Sequence, residues 1–352
     1  MPVAKKIAEA ACRSSWIRQM FEEGACLAEI HGCDKVFDFS IGNPNLDPPE
    51  EFHMVLEDLV KDRAPGVHGY MSNQGYPEAC AAVAAYLTRD QGVPLSGEHV
   101  VMTCGAAAAA NVIFKAILDP GDEVIVPRPY FVEYGAYVDN HGGVLKTVAS
   151  LADFDLDLDA IGAAITSKTR AVLVNSPNNP TGRVYSAETL AALGRLLERK
   201  TKENGRVIYL VSDEPYRRIV FDGVRVAPAM SAYQNTIVAS SYSKELSIPG
   251  ERIGYVAANP AIPEVDKLMD GLVMTNRILG FVNAPALMQR AVTRLQGVGV
   301  DVTPYRRNRD VLYECLTDAG FEVFKPQGAF YFFPRAPIED DVAFCREMQE
   351  HL

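Results

Sequence analysis

The chain has 352 residues, of which 48% are hydrophobic and 22% charged, with a formal net charge of -11. That length exceeds one ordinary core and suits a large domain with a smaller companion, and the apolar share is that of a packed globular protein, not a disordered one. The acidic balance argues against nucleic acid or an anionic membrane surface as the main partner, because both need a basic face; a small anion held by a few local donors is still allowed.

The stretch through Pro49, which contains Gly42-Asn43-Pro44, is irregular and is assigned to the smaller domain. From His99 onward, short β-branched runs alternate with helical patterns, the signature of βα units around a mainly parallel sheet. The spacing predicts strands over His99 to Thr103, Glu123 to Val126, Ala171 to Val174, Val207 to Val211, Thr236 to Ser240 and Ile253 to Ala257. Their near-continuous hydrophobicity is that of strands covered on both faces. The turn Asp119-Pro120-Gly121-Asp122 separates an alanine-rich helix from the second strand. Ser186 is placed to cap a helix running to about Lys200, and Gly205 closes the loop after it. Val342 to Leu352 reads as a helix with Phe344 and Met348 on one apolar face. The expected class is therefore α/β: a three-layer large domain over residues 50–283 with a mostly parallel mixed sheet, and a smaller α+β domain built from residues 1–49 and 284–352.

Seven cysteines form no paired CxxC spacing, so they read as reduced thiols and no metal site is expected. The N-terminus lacks the continuous apolar core of a signal peptide and no later run is long enough to span a bilayer, which makes a cytoplasmic location the expectation.

The most informative segment is Ser241-Tyr242-Ser243-Lys244-Glu245-Leu246-Ser247-Ile248-Pro249-Gly250-Glu251-Arg252-Ile253-Gly254. Alone, Lys244 would suit a solvated surface lysine. Its neighbours Ser241, Ser243 and Arg252 bring together the hydroxyl and guanidinium donors that a phosphate needs. This segment resembles, position by position, the lysine signature of the class I and II aminotransferases of the aspartate aminotransferase fold. The resemblance implies a pyridoxal 5'-phosphate enzyme in which Lys244 carries the cofactor as a Schiff base, with Ser241, Ser243 and Arg252 near its phosphate.

Four further segments fit the same family. Asn178-Asn179-Pro180-Thr181-Gly182 could be only a tight turn; the resemblance gives Asn179 a hydrogen bond to the phenolic oxygen of the cofactor and a place beside substrate. Ser212-Asp213-Glu214-Pro215-Tyr216 lies at the carboxyl end of a predicted strand, where open α/β sheets bind ligands. There Asp213 matches the residue that pairs with the pyridine nitrogen and Tyr216 the tyrosine that reaches the phenolic oxygen. Cys104-Gly105-Ala106-Ala107 turns a strand into a helix whose first amides are free for an anion, and the family sets cofactor phosphate against the positions of Gly105, Ala106 and Ala107. In Pro129-Tyr130-Phe131-Val132-Glu133-Tyr134, Phe131 fits the aromatic residue that stacks on the ring, with core packing as the competing reading.

Gly69-Tyr70 resembles the segment whose tyrosine crosses a subunit interface to the phosphate, which implies a homodimer with shared sites. Gly42 matches the glycine whose amide lies near the substrate carboxylate, and Gly328-Ala329-Phe330-Tyr331 looks like the family's small-domain strand. The implied reaction moves an amino group from an amino acid to a 2-oxo acid by a ping-pong route, with Lys244, Asp213 and Tyr216 as the catalytic set. A lyase or decarboxylase of the same fold is the alternative, and a non-catalytic cofactor-binding regulator a more distant one. Arg277 suits either a distal substrate carboxylate or a solvated surface. The family's α-carboxylate arginine has no match before Leu352, so the expectation is that the natural chain extends further or that this form uses amino acids poorly.

Overall fold

The computed structural model describes residues 2–8, 16–37, 39 and 42–351, with side chains for all of these except 16–21 and 349–351. It divides into two compact units, Met1–Asn45 and Leu46–Leu352. The first holds helix α1 (Trp16–His31).

The second unit opens with α2 (Glu50–Lys61) and α3 (Pro77–Gln91) and then alternates strand with helix. In order these are β1 (Val100–Thr103), α4 (Ala106–Ile117), β2 (Glu123–Arg128), α5 (Tyr134–Asp139), β3 (Val144–Ala149), α6 (Leu158–Ala164), β4 (Thr169–Asn175), α7 (Ala187–Asn204), β5 (Tyr209–Asp213), α8 (Ala229–Ala232), β6 (Thr236–Ser241) and β7 (Gly254–Ala258). Helices α9 (Val265–Ile278), α10 (Ala286–Arg294), α11 (Thr303–Asp318) and α12 (Asp341–His351) follow. Ser186 caps α7 by accepting a hydrogen bond from the Thr189 amide, and Gly205 ends the helix in the left-handed region, as the sequence predicts.

The seven strands form one sheet in the order β1-β7-β6-β5-β4-β2-β3. Only β7 runs against its neighbours; it is antiparallel to β1 and to β6, while the other pairs are parallel. This is the expected mixed, mostly parallel α/β sheet. Because side chains alternate faces along a strand, each inner strand serves two cores. Val124, Leu173, Val211 and Ala239 pack with Ile113, Phe114 and Leu272 of α4 and α9 on one face. Ile125, Val172, Val174 and Leu210 pack with Leu193 and Leu197 of α7 on the other, where α2, α3 and α10 also cover Val100, Met102 and Val238. The result is three layers. Burying a side chain the size of Phe114 contributes about 1.5–3 kcal/mol, so these layers make the sheet a rigid platform for its strand ends.

One expectation is corrected. Gly328-Ala329-Phe330-Tyr331 is not a sheet strand but an isolated antiparallel bridge between Gly328 and Val220. The extended run breaks because Ala329 has φ 57°, outside strand geometry. The segment is nevertheless anchored: the Ala329 amide donates to Ile219 O at 2.9 Å and the Gly328 amide to Gly182 O at 3.1 Å. Among the described residues no helix is long and apolar enough to cross a membrane.

Candidate active site

The site is assembled at the carboxyl ends of β4, β5 and β6, where the register sets Asn175 opposite Asp213 and Asp213 opposite Ala239. Asp213 is buried. The Tyr134 hydroxyl donates to its Oδ2, and the Asn175 carboxamide nitrogen lies 3.4 Å from the same oxygen and 2.9 Å from the Asp213 main-chain oxygen. Asp213 Oδ1 is equally buried and has no hydrogen-bond partner. Burial pushes this carboxyl up to about 7, the Tyr134 hydrogen bond pulls it back down, and the neighbouring Glu214 charge adds a further push upward. A carboxyl in this state favours a cationic N–H donor at Oδ1.

Lys244 follows β6 in a tight turn, with the Leu246 amide bonded to Tyr242 O at 3.1 Å and the Ser247 amide to Lys244 O at 3.3 Å. Its Nζ stands 5.9 Å from the centre of the Tyr216 ring and 5.5 Å from that of Phe330. Burial, and then the positive charge of Arg252, lower its ammonium to about 8. About a tenth of the amine is therefore neutral at pH 7, far more than for an ordinary lysine near about 10.4. Tyr216 is buried, shares a hydrogen bond with the Tyr331 hydroxyl and meets Phe330 edge-on. Burial and Tyr331 drive its hydroxyl well above the usual range, and a hydrogen bond with Asn179 opposes them. Asn179 itself is tethered, its amide donating to Asn175 Oδ1 at 2.6 Å.

The third part is the start of α4. Gly105 precedes it at φ 85° with no side-chain cap, so the first amides of the helix, from Ala106 and Ala107 onward, have no intrahelical acceptors. The guanidinium of Arg252 lies against this turn: a Cβ at position 105 would stand 2.8 Å from its Nη2. Arg252 is held there by its bonds to Pro249 O at 2.8 Å and Cys104 O at 3.3 Å. Gly254 permits the approach, since a Cβ there would come within 2.9 Å of the Gly105 backbone. Ser241 and Ser243 are both buried on the path from β6 to Lys244. Amides, guanidinium and hydroxyls of this kind suit a phosphate.

Phe131 is half-buried and meets Tyr134 edge-on at 5.5 Å, which ties it to the Asp213 side of the site. Tyr70 does not join the cluster within this chain; its side chain is 96% exposed. Gly42 belongs to the N-terminal unit. Arg277 ends α9 exposed, in keeping with a solvated arginine.

Three residues of the cluster have no role assigned from the sequence: Tyr134, Asn175 and Tyr331. Tyr134 carried a signal, since it follows Phe131 by three positions and opens a short helix beside the strand ends. Asn175 carried a weaker one, as the polar residue that directly follows the buried apolar run 171–174 of β4.

Residues 34–352 match the family model for aminotransferase class I and II. The aspartate/prephenate aminotransferase of Thermus thermophilus is 37% identical over 308 residues, covering 85% of this chain and 77% of that protein. The aspartate aminotransferase of Geobacillus stearothermophilus is 32% identical over 331 residues, 90% of this chain and 80% of its own length. Among solved structures, an amino transferase from Eubacterium rectale superposes with a TM-score of 0.96 at 42% identity, covering 99% of this chain and 89% of that one. A lysine with a depressed amine, a buried carboxyl with an open oxygen and an anion cradle thus occur in a fold shared almost end to end, and the chain belongs to the class I and II aminotransferase family, whose members use pyridoxal phosphate.

Proposed function

We propose that this chain holds pyridoxal 5'-phosphate covalently through Lys244 and transfers an amino group from an amino acid to a 2-oxo acid in two half-reactions. The observation that carries the reading is Asp213 Oδ1, a buried carboxyl oxygen with no donor, at the carboxyl end of β5. It fits the protonated nitrogen of a pyridine ring. The cofactor supplies an electron sink for the substrate's α-carbon electrons.

The chain's own residues do the rest. Asp213 keeps a positive charge on the ring favourable, because a buried carboxylate stabilises an adjacent cation. Gly105, Ala106 and Ala107 offer amides to the phosphate, and Ser241, Ser243 and Arg252 offer hydroxyl and guanidinium donors. Phe131 supplies an apolar face for the ring, and Asn179 and Tyr216 donate to its phenolic oxygen. Lys244, once its amine is displaced by substrate, accepts the α-carbon proton at Nζ. An amine depressed to about 8 is suited to that task, since a general base works best near the operating pH. Asn179 is assigned to the substrate side as well.

The relatives named for aspartate make it the first donor to try. With 2-oxoglutarate as acceptor, the expected result is glutamate and the donor's oxo acid in equal amounts. Release of carbon dioxide or ammonia without consumption of the acceptor would instead identify a decarboxylase or lyase.

We further infer a cytoplasmic homodimer in which Tyr70 reaches the partner's phosphate site. A large aromatic side chain left 96% exposed in the single chain supports this reading. Mixing inactive Lys244→Ala chains with an impaired Tyr70→Phe variant is expected to restore part of the activity. No recovery after demonstrated subunit exchange would refute shared sites.

A further inference from the structure

We infer that Asn175 is a positioning residue that sets the two ends of the cofactor ring together, through one buried side chain that joins Asp213 to Asn179. The proposal rests on the cofactor reading above and names a residue outside the motif.

The last position of β4 lies directly beside Asp213 in the sheet register. Asn175 is buried, and both functions of its carboxamide are engaged. The nitrogen donates to the Asp213 main-chain oxygen at 2.9 Å and approaches Oδ2 at 3.4 Å. The oxygen accepts the Asn179 amide at 2.6 Å. A carboxamide is rigid and planar, so fixing one end fixes the other. Asp213 Oδ2 is thereby turned to Asn175 and Tyr134, which leaves Oδ1 as the oxygen free to meet a ring nitrogen. At the other end, the tether holds the Asn178-Asn179 turn against the strand, so that the Asn179 side chain can reach Tyr216 and the phenolic oxygen.

Chemically, the two ends of the ring act in one direction. A protonated ring nitrogen and a stabilised phenolate each lower the proton affinity of the lysine–cofactor imine. An Asn175 side chain that aligns both should lower that affinity by more than either contact alone. Leucine has the same branched heavy-atom shape, with bulkier methyl ends and neither polar function, so Asn175→Leu removes the alignment without opening a cavity.

The test uses the full chain. Cofactor-free wild type and Asn175→Leu are loaded with pyridoxal phosphate, the dissociation constant is measured by equilibrium dialysis, and the visible absorbance is titrated with pH. The variant is expected to bind the cofactor about tenfold more weakly. Its absorbance midpoint should rise by about one pH unit, a shift that a purely structural role would not cause. In an Asp213→Ala background, Asn175→Leu should add a smaller shift than it causes alone, because only the Asn179 end of its alignment remains. If Asn175→Leu does not fold, Asn175→Ser, whose hydroxyl is too short to span both partners, is read against the same expectations. A wild-type midpoint that ignores both substitutions, or shifts that simply add in the double variant, would overturn the positioning role alone. Absence of any imine absorbance in wild type would overturn the cofactor reading, and this inference with it.

Discussion

A Lys244→Ala chain is expected to show no measurable amino-group transfer, while still taking up pyridoxal phosphate non-covalently at the start of α4. The substitution removes the amine that stands 5.9 Å from the Tyr216 ring and 5.5 Å from the Phe330 ring, and with it both the covalent attachment and the base. Loss of a positioned base alone costs about 10²–10⁴-fold in rate; loss of the attachment point adds to that. The anion cradle of Gly105 and Arg252 is untouched, so the two functions separate cleanly. In wild type, borohydride reduction of the loaded enzyme should fix the cofactor to the peptide containing Lys244, and a label on another lysine would refute the assignment. The pH dependence has a definite sign. An amine lowered to about 8 is protonated below that value and nucleophilic above it. Cofactor capture should therefore accelerate as pH rises through about 8 and level off beyond it, well before an unperturbed lysine would do so.

Much of this architecture is legible because it rests on local rules. The six expected strands all occur, displaced by no more than two residues at either end, since a buried parallel strand must be continuously apolar and its neighbours are turns. The strand that escapes is β3, Val144–Ala149, an edge strand only partly covered and interrupted by Lys146, whose ion pair with Glu123 of β2 could not be foreseen from spacing. The cluster shows the same division. Lys244, Asp213 and Asn179 sit in contiguous motifs and can be read in one dimension. Tyr134 and Asn175 act on Asp213 across 79 and 38 positions of sequence, through a helix start and a strand register that exist only after folding. Gly328-Ala329-Phe330-Tyr331 is expected to be a strand only through its resemblance to the family's small-domain strand; the left-handed turn at Ala329 that breaks it is not announced by an alanine.

Beneath the site lies a buried polar network centred on Glu214. Glu214, the next residue, points to the opposite face of the sheet. Its Oε2 lies 3.1 Å from Arg217 and accepts from Gln91 at 2.9 Å, its Oε1 accepts from Ser212 at 2.7 Å, and Arg217 in turn pairs with Asp90. With two carboxylates and a single arginine bound together there, little positive charge is left over to neutralise Asp213 from below. The cation that Asp213 favours must come from the open side.

Asp213→Ala is accordingly expected to lower the rate of transfer by on the order of a hundredfold or more, in line with other preorganised electrostatic groups, while changing the fold little. Two effects on stability oppose each other. The Tyr134 hydroxyl loses its acceptor, which costs about 1–3 kcal/mol if it stays buried and unpaired. Against this, a carboxyl that resists ionisation is removed from the interior. Asp213→Asn separates charge from shape: if charge is what matters, its rate should fall nearly as far as that of the alanine variant. The pH sign follows from linkage. In the cofactor-free chain the Asp213 carboxyl is raised from 3.8 to about 7, so the folded state holds its proton more tightly than the unfolded state does. Its contribution to stability is present at low pH and is lost as pH rises from about 3.8 through 7. Asp213→Asn removes that loss, whereas Glu214 and Glu245, also raised by burial, are common to both chains. The melting temperature of cofactor-free Asp213→Asn should therefore gain on wild type as pH climbs toward 7, and loading with pyridoxal phosphate should reverse the order by giving the wild-type carboxylate its cation. A variant that melts in parallel with wild type across that range, or that turns over at a near-normal rate, would show that Asp213 does not serve as the counter-charge.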